Sequence, residues 1–150
     1  MPTRLKDFAT VIVAVVEPET TAQVAAQLMR RHHIGALVVV DAAQKTTPVG
    51  IVTDRDLVLA LMAEGLDPAM FTVGDIMSVE LVLATPDMDA MEALKLMRVQ
   101  RVRRLVIVDD AKRLVGIVAL EDLLELVARE LAALAAAAMG ARDREFEQRK

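Results

Sequence analysis

The stretch GIVTDRDL at residues 50–57 returns in related form as GIVALEDL at residues 116–123. Each copy has a glycine, a short apolar run with branched side chains, and an acidic residue followed by leucine. Branched apolar runs favour strands, and an acidic residue in a first turn favours the start of a helix. Both copies are therefore predicted to form a strand that leads directly into a helix.

The similarity between the two copies extends well beyond these eight residues. Pro18 corresponds to Pro86, 68 residues later, and LMR at 28–30 corresponds to LMR at 96–98. One loop is two residues shorter in the second half, so the separation falls from 68 to 66 residues. Ordered matches at a fixed separation indicate an internal duplication. We therefore divide the chain into repeat 1 at residues 5–69, repeat 2 at residues 70–130 and a C-terminal extension at residues 131–150.

The same order of elements, β-α-β-β-α, is predicted in each repeat. A first strand at about 10–16 or 79–84 precedes a helix with a capping region at 20–21 or 87–89. Two strands joined by a polar loop, at 37–40 and 49–52 or at 105–108 and 115–118, are typical of a hairpin. The final helix begins at about Asp54 or Leu120. The fold class is α/β (α+β). Because a unit of about 60 residues is marginal alone, the two repeats should pack against each other.

The composition excludes several classes of function. The 150 residues carry a formal net charge of −4 and include no cysteine, tryptophan or tyrosine. An acidic chain with three aromatic residues does not fit nucleic-acid binding. Without cysteine there is no disulfide framework and no thiolate nucleophile. Ser78 is the only serine, and neither a Walker-type loop nor a GxGxxG loop is present. We therefore expect a binding or regulatory protein rather than an enzyme.

The apolar runs of the chain are too short for a membrane span. Residues 9–16 and residues 131–139 each provide about half or less of the length that a spanning helix needs. No small-residue cleavage site follows the first of these runs. We therefore expect a soluble, cytoplasmic protein that does not bind membranes.

Taken together, these features resemble a tandem pair of CBS domains, or Bateman module, of the stand-alone bacterial type. The resemblance covers about residues 5–130 and rests on the two GIV copies, VRRLVIVD at 102–109 and VGDIM at 73–77. It implies two repeats related by pseudo-twofold symmetry, a homodimer, and a cleft between the sheets that often holds an adenine nucleotide. It also implies regulation of a partner protein by AMP, ADP or ATP, although some members bind S-adenosylmethionine, NAD or magnesium instead.

The resemblance assigns ligand contacts to the residues at the start of each final helix. It implies that Asp56 and Asp122 accept hydrogen bonds from ribose hydroxyls, and that Thr53 reaches ribose or phosphate. The alternative is a capping box, in which Thr53 caps the helix and Asp56 reaches back to the chain before it. Ala119 stands in the place of Thr53 in the second copy, so a capping box does not explain Asp122, although a favourable negative charge in the first turn of the helix could.

A cluster of four arginines is the candidate phosphate site: Arg98, Arg101, Arg103 and Arg104. Arg103 and Arg104 are the positions at which the family often has a basic residue, and a guanidinium fork suits phosphate oxygens. Within a regular strand these neighbours point to opposite sides, so at most one faces the cleft unless the strand is only beginning there. The alternative is a solvated basic turn that pairs with nearby carboxylates. Repeat 1 has Gly35-Ala36 at the same place, which predicts two unequal sites.

Aliphatic side chains must hold any adenine base, because the chain has no tryptophan or tyrosine. The candidates are apolar residues near the predicted strand starts of both repeats, with a place in the ordinary core as the alternative for each. They are Val13 to Val15 and Ile34 in one half, and Met77, Leu81 to Leu83 and Val102 in the other. The adjacent histidines His32 and His33 cannot easily share a metal on a helix, so no metal site is expected.

The last helix is predicted to continue from about Leu120 to Met139, with Gly140 as its C-cap and frayed residues beyond. Its apolar stripe, which includes Leu124 and Leu131, could support dimerisation, dock on a partner or pack on its own module.

Our leading hypothesis is a regulatory CBS pair that senses AMP or ATP, with magnesium as a companion of ATP, and signals to a partner protein. The alternatives are a structural or interaction module that has lost nucleotide binding, and a module that binds S-adenosylmethionine or NAD.

Overall fold

The computed structural model describes residues 3–10 and 14–149, and it contains the predicted elements twice. Repeat 1 begins with a 3₁₀ turn at Leu5–Asp7. Its further elements are β1 (Val15–Val16), α1 (Ala22–His32), β2 (Ala36–Val40), β3 (Pro48–Thr53) and α2 (Asp54–Leu57), the last continuing as a π-helical turn (Val58–Met62). Repeat 2 follows with α3 (Val73–Ile76), β4 (Leu83–Ala84), α4 (Ala90–Gln100), β5 (Arg104–Val108), β6 (Leu114–Ala119) and α5 (Leu120–Gln148).

Each repeat forms a three-stranded sheet in which a parallel pair adjoins an antiparallel hairpin. The strand orders are β1-β2-β3 and β4-β5-β6. Val38 lies opposite Ile51 in one hairpin, and Val106 lies opposite Ile117 in the other. The mixed α/β class and both predicted hairpins are thus confirmed.

The first strand of each repeat is shorter than predicted. Only Val15–Val16 and Leu83–Ala84 are strand, while residues 11–13 of the predicted 10–16 lie outside the described residues. The difference has a structural cause, because the chain ahead of each strand pairs with the other repeat. Thr10 forms a bridge to Ile117, and Ser78 forms a bridge to Ile51.

The helices α1 and α4 begin and end at equivalent positions. The Thr21 hydroxyl accepts a hydrogen bond from Val24 N at 3.2 Å, and Asp89 Oδ1 accepts one from Met91 N at 2.9 Å. Both helices end at a residue in the left-handed region, with φ 54° at His33 and φ 56° at Arg101. Side-chain caps of this kind satisfy amide groups that have no partner inside the helix.

Two separate cores hold the molecule together, and each contains a residue from the other repeat. Leu5 is fully buried in the core of repeat 2, and its N donates to Met88 O at 3.0 Å. Val73 is fully buried in the core of repeat 1, and its N donates to Thr20 O at 2.7 Å. The segments at the start of the two repeats, residues 3–10 and 71–78, are therefore exchanged; we call them the leading segments.

The helix α5 is longer than predicted and leaves the body of the protein. It continues through Gly140 to Gln148, so the prediction of a C-cap at Gly140 and of frayed residues after it is wrong. Six of the eight residues at 131–138 are alanine, the best helix former, and they support the helix up to the glycine. Leu123 is buried and Leu126 is half-buried against repeat 2, whereas Leu131 and Leu134 are more than 60% exposed. Among the described residues, no helix has the length and apolar character to cross a membrane.

Candidate functional site

Two clefts lie between the repeats, at positions related by the internal duplication. We call them the Thr53 cleft and the Ala119 cleft, after the residue that precedes the final helix in each. The Thr53 cleft, of about 380 Å³, takes Thr53 and Asp56 from repeat 1 and residues 78, 80–82 and 101–104 from repeat 2. The Ala119 cleft, of about 660 Å³, takes Ala119 and Asp122 from repeat 2, and Thr10, Ile34 and other residues from repeat 1.

The crossing of the leading segments shapes both clefts. Ser78 and Ile51 exchange backbone hydrogen bonds of 2.9 and 3.0 Å, and Thr10 and Ile117 exchange bonds of 3.0 and 3.1 Å. A Cβ at Gly50 would lie 2.6 Å from Met77 Sδ and 2.9 Å from Ser78 O. A Cβ at Gly116 would lie 2.9 Å from Thr10 O. The repeated glycine therefore allows a close backbone approach, which the pattern of an interior strand glycine can indicate but which we did not infer.

Asp56 and Thr53 form the capping box that was the alternative to ligand binding. Thr53 N donates to Asp56 Oδ2 at 2.8 Å, and Asp56 N donates to Thr53 Oγ1 at 3.2 Å. Both residues also line the cleft and are half-buried. Asp56 Oδ1 accepts no hydrogen bond from the described residues, so capping leaves one carboxylate oxygen for another donor.

Asp122 takes part in half of the same arrangement. Its Oδ2 accepts a hydrogen bond from Ala119 N at 2.8 Å, although Ala119 has no hydroxyl to complete the box. The expectation that capping leaves Asp122 unexplained is therefore wrong, because the carboxylate needs only a backbone donor. Asp75 accepts from Thr72 N in the same way at 2.8 Å, so this contact recurs along the chain.

The arginines of residues 101–104 gather at the Thr53 cleft. Arg101, Arg103 and Arg104 all line it, because β5 begins only at Arg104 and the preceding residues are not held in strand alternation. Arg98 does not line it and lies beside an apolar groove along α4. The lining of the Thr53 cleft thus includes three arginines of repeat 2.

Arg103 and Arg104 differ in their partners. Arg103 forms an ion pair with Glu121, and this hydrogen bond lowers the pKa of Glu121 below its ordinary value. Arg103 thus fits the interpretation of a solvated basic turn. Arg104 is half-buried, lines both clefts, and forms no ion pair with a carboxylate in the described part of the chain.

The Ala119 cleft has a different chemistry. Repeat 1 has Gly35 and Ala36 at the positions equivalent to Arg103 and Arg104 of repeat 2. Arg104 of repeat 2 also reaches this cleft, and it is the one arginine among the described residues that line it. The space beside Gly35 is already occupied, since a Cβ there would lie 2.9 Å from Asp54 Oδ2. The two clefts are therefore unequal in charge.

The apolar candidates are divided between the clefts. Leu81 and Val102 line the Thr53 cleft, whereas Val15 and Ile34 line the Ala119 cleft. Met77 lines neither, because its side chain packs against Gly50 and the core of repeat 1. Val13 lies outside the described residues.

The histidines lie at the end of α1, where His32 lines the Ala119 cleft and His33 ends the helix. Within residues 3–10 and 14–149, no group of three or more histidine, aspartate or glutamate side chains could hold a metal ion.

The order of elements, the two sheets and the paired clefts can be compared with known proteins. The sequence profile of the CBS domain family matches residues 5–63 and again residues 73–129. The chain belongs to the CBS domain family. The two matches form a tandem CBS pair, as the resemblance implied, and most of α5 lies beyond them.

Relatives of this CBS pair are found among curated proteins and solved structures. It is 42% identical over 109 residues to an uncharacterized protein of Methanopyrus kandleri, covering 73% of this chain but only 55% of that protein. It is 44% identical over 119 residues to CBS domain-containing protein YhcV of Bacillus subtilis, covering 79% of this chain and 81% of YhcV. The structure of the CBS domain pair of protein MJ0100, in complex with 5′-methylthioadenosine and S-adenosyl-L-methionine, is similar with a TM-score of 0.77. That similarity has 26% sequence identity and covers 87% of this chain and 99% of the other.

Proposed function

We propose that this CBS pair is a regulatory protein that binds an adenine nucleotide, AMP or ATP, in the Thr53 cleft. One observation carries the proposal. Asp56 of repeat 1 and the arginines Arg101, Arg103 and Arg104 of repeat 2 line the same cleft. A nucleotide offers ribose hydroxyls to a carboxylate and phosphate oxygens to guanidinium groups. A ligand at this place would therefore contact both repeats at once.

The ribose would lie against Asp56. Its Oδ2 is held by Thr53 N, which fixes the carboxylate, and its Oδ1 is left to accept from a hydroxyl. Because both Asp56 and Thr53 are half-buried, the contact would be partly shielded from water and stronger than one on an open surface.

The phosphate would lie against the arginines, with Arg104 as its first contact. Arg104 is half-buried and has no carboxylate partner within the described residues, so no ion pair is broken when it binds an anion. Arg103 would have to share its guanidinium between the phosphate and Glu121. Because Glu121 lies in the first turn of α5, the phosphate would alter a contact that connects the cleft to this helix. That change is our candidate for the signal to a partner protein.

The base would lie among aliphatic side chains. Leu81, Val82 and Val102 line the Thr53 cleft, and no aromatic residue is among the described residues that line it. The cleft volume of about 380 Å³ lies within the usual range for small-molecule sites. Magnesium would accompany ATP through the phosphates, with few contacts of its own to the protein.

S-adenosylmethionine is the second candidate ligand, because the similar CBS pair of protein MJ0100 was solved with it. Its sulfonium carries a positive charge, whereas the cleft lining holds three arginines against two carboxylates, Asp56 and Glu80, so its net positive charge disfavours a cation. The charge of the Thr53 cleft therefore favours the phosphate-bearing ligand. NAD, which contains an adenosine diphosphate, would satisfy the same contacts if the cleft admits its nicotinamide half.

Calorimetric titration with AMP, ATP, NAD and S-adenosylmethionine tests the proposal. We expect AMP or ATP to bind, and Asp56→Ala to lower the affinity about tenfold or more through loss of a charge-assisted hydrogen bond. Asp122→Ala is the matched control, because it removes an equivalent 2.8 Å capping contact at the other cleft. A chain that binds none of the four ligands would be a structural or interaction module. Equal losses in both variants would contradict the assignment to the Thr53 cleft.

A further inference from the structure

The helix α5 carries an apolar face that the rest of the chain leaves uncovered. Beyond the half-buried Leu126, every described residue of the helix is exposed, and Leu131, Leu134 and Met139 are each more than 60% exposed. The stretch from Val127 to Gln148 would be about 33 Å long at 1.5 Å per residue. In proteins most of the stability of a helix comes from packing of its apolar face rather than from the propensity of its residues.

The spacing of the apolar residues indicates what kind of partner fits. Alternating steps of three and four residues connect one set of positions, which we call the seam: Leu124, Val127, Leu131, Leu134, Ala138 and Ala141. This spacing averages 3.5 residues and keeps the seam on one face of a gently supercoiled helix. Such a seam is typical of a helix that pairs with another helix along its length.

The sizes of the seam residues distinguish between the two directions of pairing. In a parallel pair identical residues face each other. The layers at Leu131 and Leu134 would then hold two large side chains and those at Ala138 and Ala141 two small ones, so the spacing between the helices would have to change along the pair. In an antiparallel pair centred near Ala136, Leu134 faces Ala138 of the second copy, and Leu131 faces its Ala141. Each central layer then combines one large and one small side chain, which keeps the spacing between the helices uniform.

The charges favour the same direction. In the antiparallel pair, Glu130 flanks the seam opposite Arg144 of the second copy, and the symmetry produces this contact twice. In a parallel pair, Arg144 would instead approach Arg149 of the second copy. Neither Glu130 nor Arg144 has an ion-pair partner within the described chain, whereas Glu125 and Arg129 pair with each other away from the seam.

We propose that α5 pairs with α5 of a second copy of this chain, as an antiparallel coiled coil centred near Ala136. The pairing buries Leu131, Leu134, Ala138 and Ala141 in Leu–Ala layers, and two Glu130–Arg144 ion pairs fix its direction. Nearer the body of the protein, Val127 and Leu124 lie level with the polar Glu145 and Gln148 of the second copy, so the apolar layers are confined to the exposed stretch. This inference is independent of the proposed nucleotide site, which uses residues up to Asp122.

Disulfide formation between two single-cysteine variants tests the direction and the register. The chain has no cysteine, so the background is clean. We expect an equal mixture of Leu134→Cys and Ala138→Cys chains to form disulfide-linked dimers, up to about half of the chains for random pairing. Either variant oxidised alone should give few linked dimers, because each cysteine faces the other position. Efficient linkage of one variant alone would indicate a parallel pair, and no linkage in the mixture would exclude the pairing.

Exchanging the charges at Glu130 and Arg144 tests whether the proposed ion pairs, rather than nonspecific association of the apolar face, determine the pairing. Glu130→Arg in both cysteine chains places an arginine opposite Arg144 of the other copy at both ends of the paired stretch. We expect the association constant of the two chains to fall about fivefold to tenfold. Adding Arg144→Glu to the same chains should restore it. Ala136→Glu, on the opposite face, is the control and should leave linkage unchanged. Failure of Arg144→Glu to restore linkage would overturn the proposed register.

Discussion

Arg103 and Glu121 form an ion pair that joins the residue before β5 to the first turn of α5. Arg103 also lines the Thr53 cleft, so one residue adjoins both the candidate ligand site and the helix that leaves the body. This contact connects the two parts of the molecule to which we assign function.

The stability from this ion pair should depend on pH in a definite direction. The hydrogen bond from Arg103 lowers the pKa of Glu121 in the folded protein below its ordinary value of 4.5. The pair therefore adds stability at pH values above 4.5, and this contribution is lost as the pH falls through the lowered pKa. Because both side chains are more than half exposed, we expect Glu121→Gln to cost less than about 1 kcal/mol at pH 7. Denaturant unfolding of both proteins at several pH values should show the difference vanish in acid; a difference independent of pH would contradict the assignment.

Alanine substitutions at Gly50 and Gly140 should change the free energy of unfolding in opposite directions. In Gly50→Ala the new methyl group would meet Met77 Sδ and Ser78 O, so we expect a loss of about 1 to 3 kcal/mol. In Gly140→Ala the methyl group meets no atom within 4 Å and lies inside a helix, so we expect a gain of up to about 1 kcal/mol. Denaturant midpoints measure both, and a neutral Gly50→Ala would mean that β3 and residue 78 are not in close contact.

A hydroxyl at position 119 should strengthen the start of α5. Asp122 N has no side-chain acceptor there, whereas the equivalent Asp56 N is bound by Thr53 Oγ1. We expect Ala119→Thr to stabilise the protein by about 1 kcal/mol and Thr53→Ala to destabilise it by a similar amount. Thermal unfolding without ligand measures both changes. Ala119→Val, which has the same shape without the hydroxyl, is the control and should give no gain.

Truncation of Leu5 should weaken repeat 2, although Leu5 belongs to repeat 1 in the sequence. Leu5 is fully buried in the core of repeat 2, so Leu5→Ala should cost about 2 to 5 kcal/mol. Leu124→Ala removes the same atoms from a side chain that is 67% exposed, and it should cost much less. Hydrogen exchange would show whether β4–β6 lose protection in Leu5→Ala, and a loss confined to the N-terminus would contradict this packing.

Most of the fold could be predicted because the same order of apolar and polar segments occurs in both repeats. The hairpins follow from branched apolar runs around a polar loop, and the helix caps at Thr21 and Asp89 follow from residue type. The exchange of the leading segments could not be predicted, because periodicity within a segment does not indicate which sheet it joins. The helix continues beyond Gly140 because good helix formers flank the glycine, so a single glycine at this place does not mark the end of the helix.

The sequence indicates most of the residues that line the clefts, but it does not indicate how they are divided between the two clefts. Thr53, Asp56, Leu81, Val102, Arg103 and Arg104 line one cleft, while Asp122, Val15 and Ile34 line the other. The sequence match between repeats shows which residues are equivalent. It does not show that each cleft combines the helix start of one repeat with the strand start of the other.

The exchange of residues 3–10 and 71–78 also bears on how such a chain arises. A single repeat taken with its own leading segment would carry Leu5 or Val73 but would have its core open at the place where the other repeat supplies that residue. Two copies of one such half could close each other's cores by donating these segments mutually. The present chain therefore has the connectivity of a swapped dimer whose subunits have been fused, and its smallest complete folding unit is the pair.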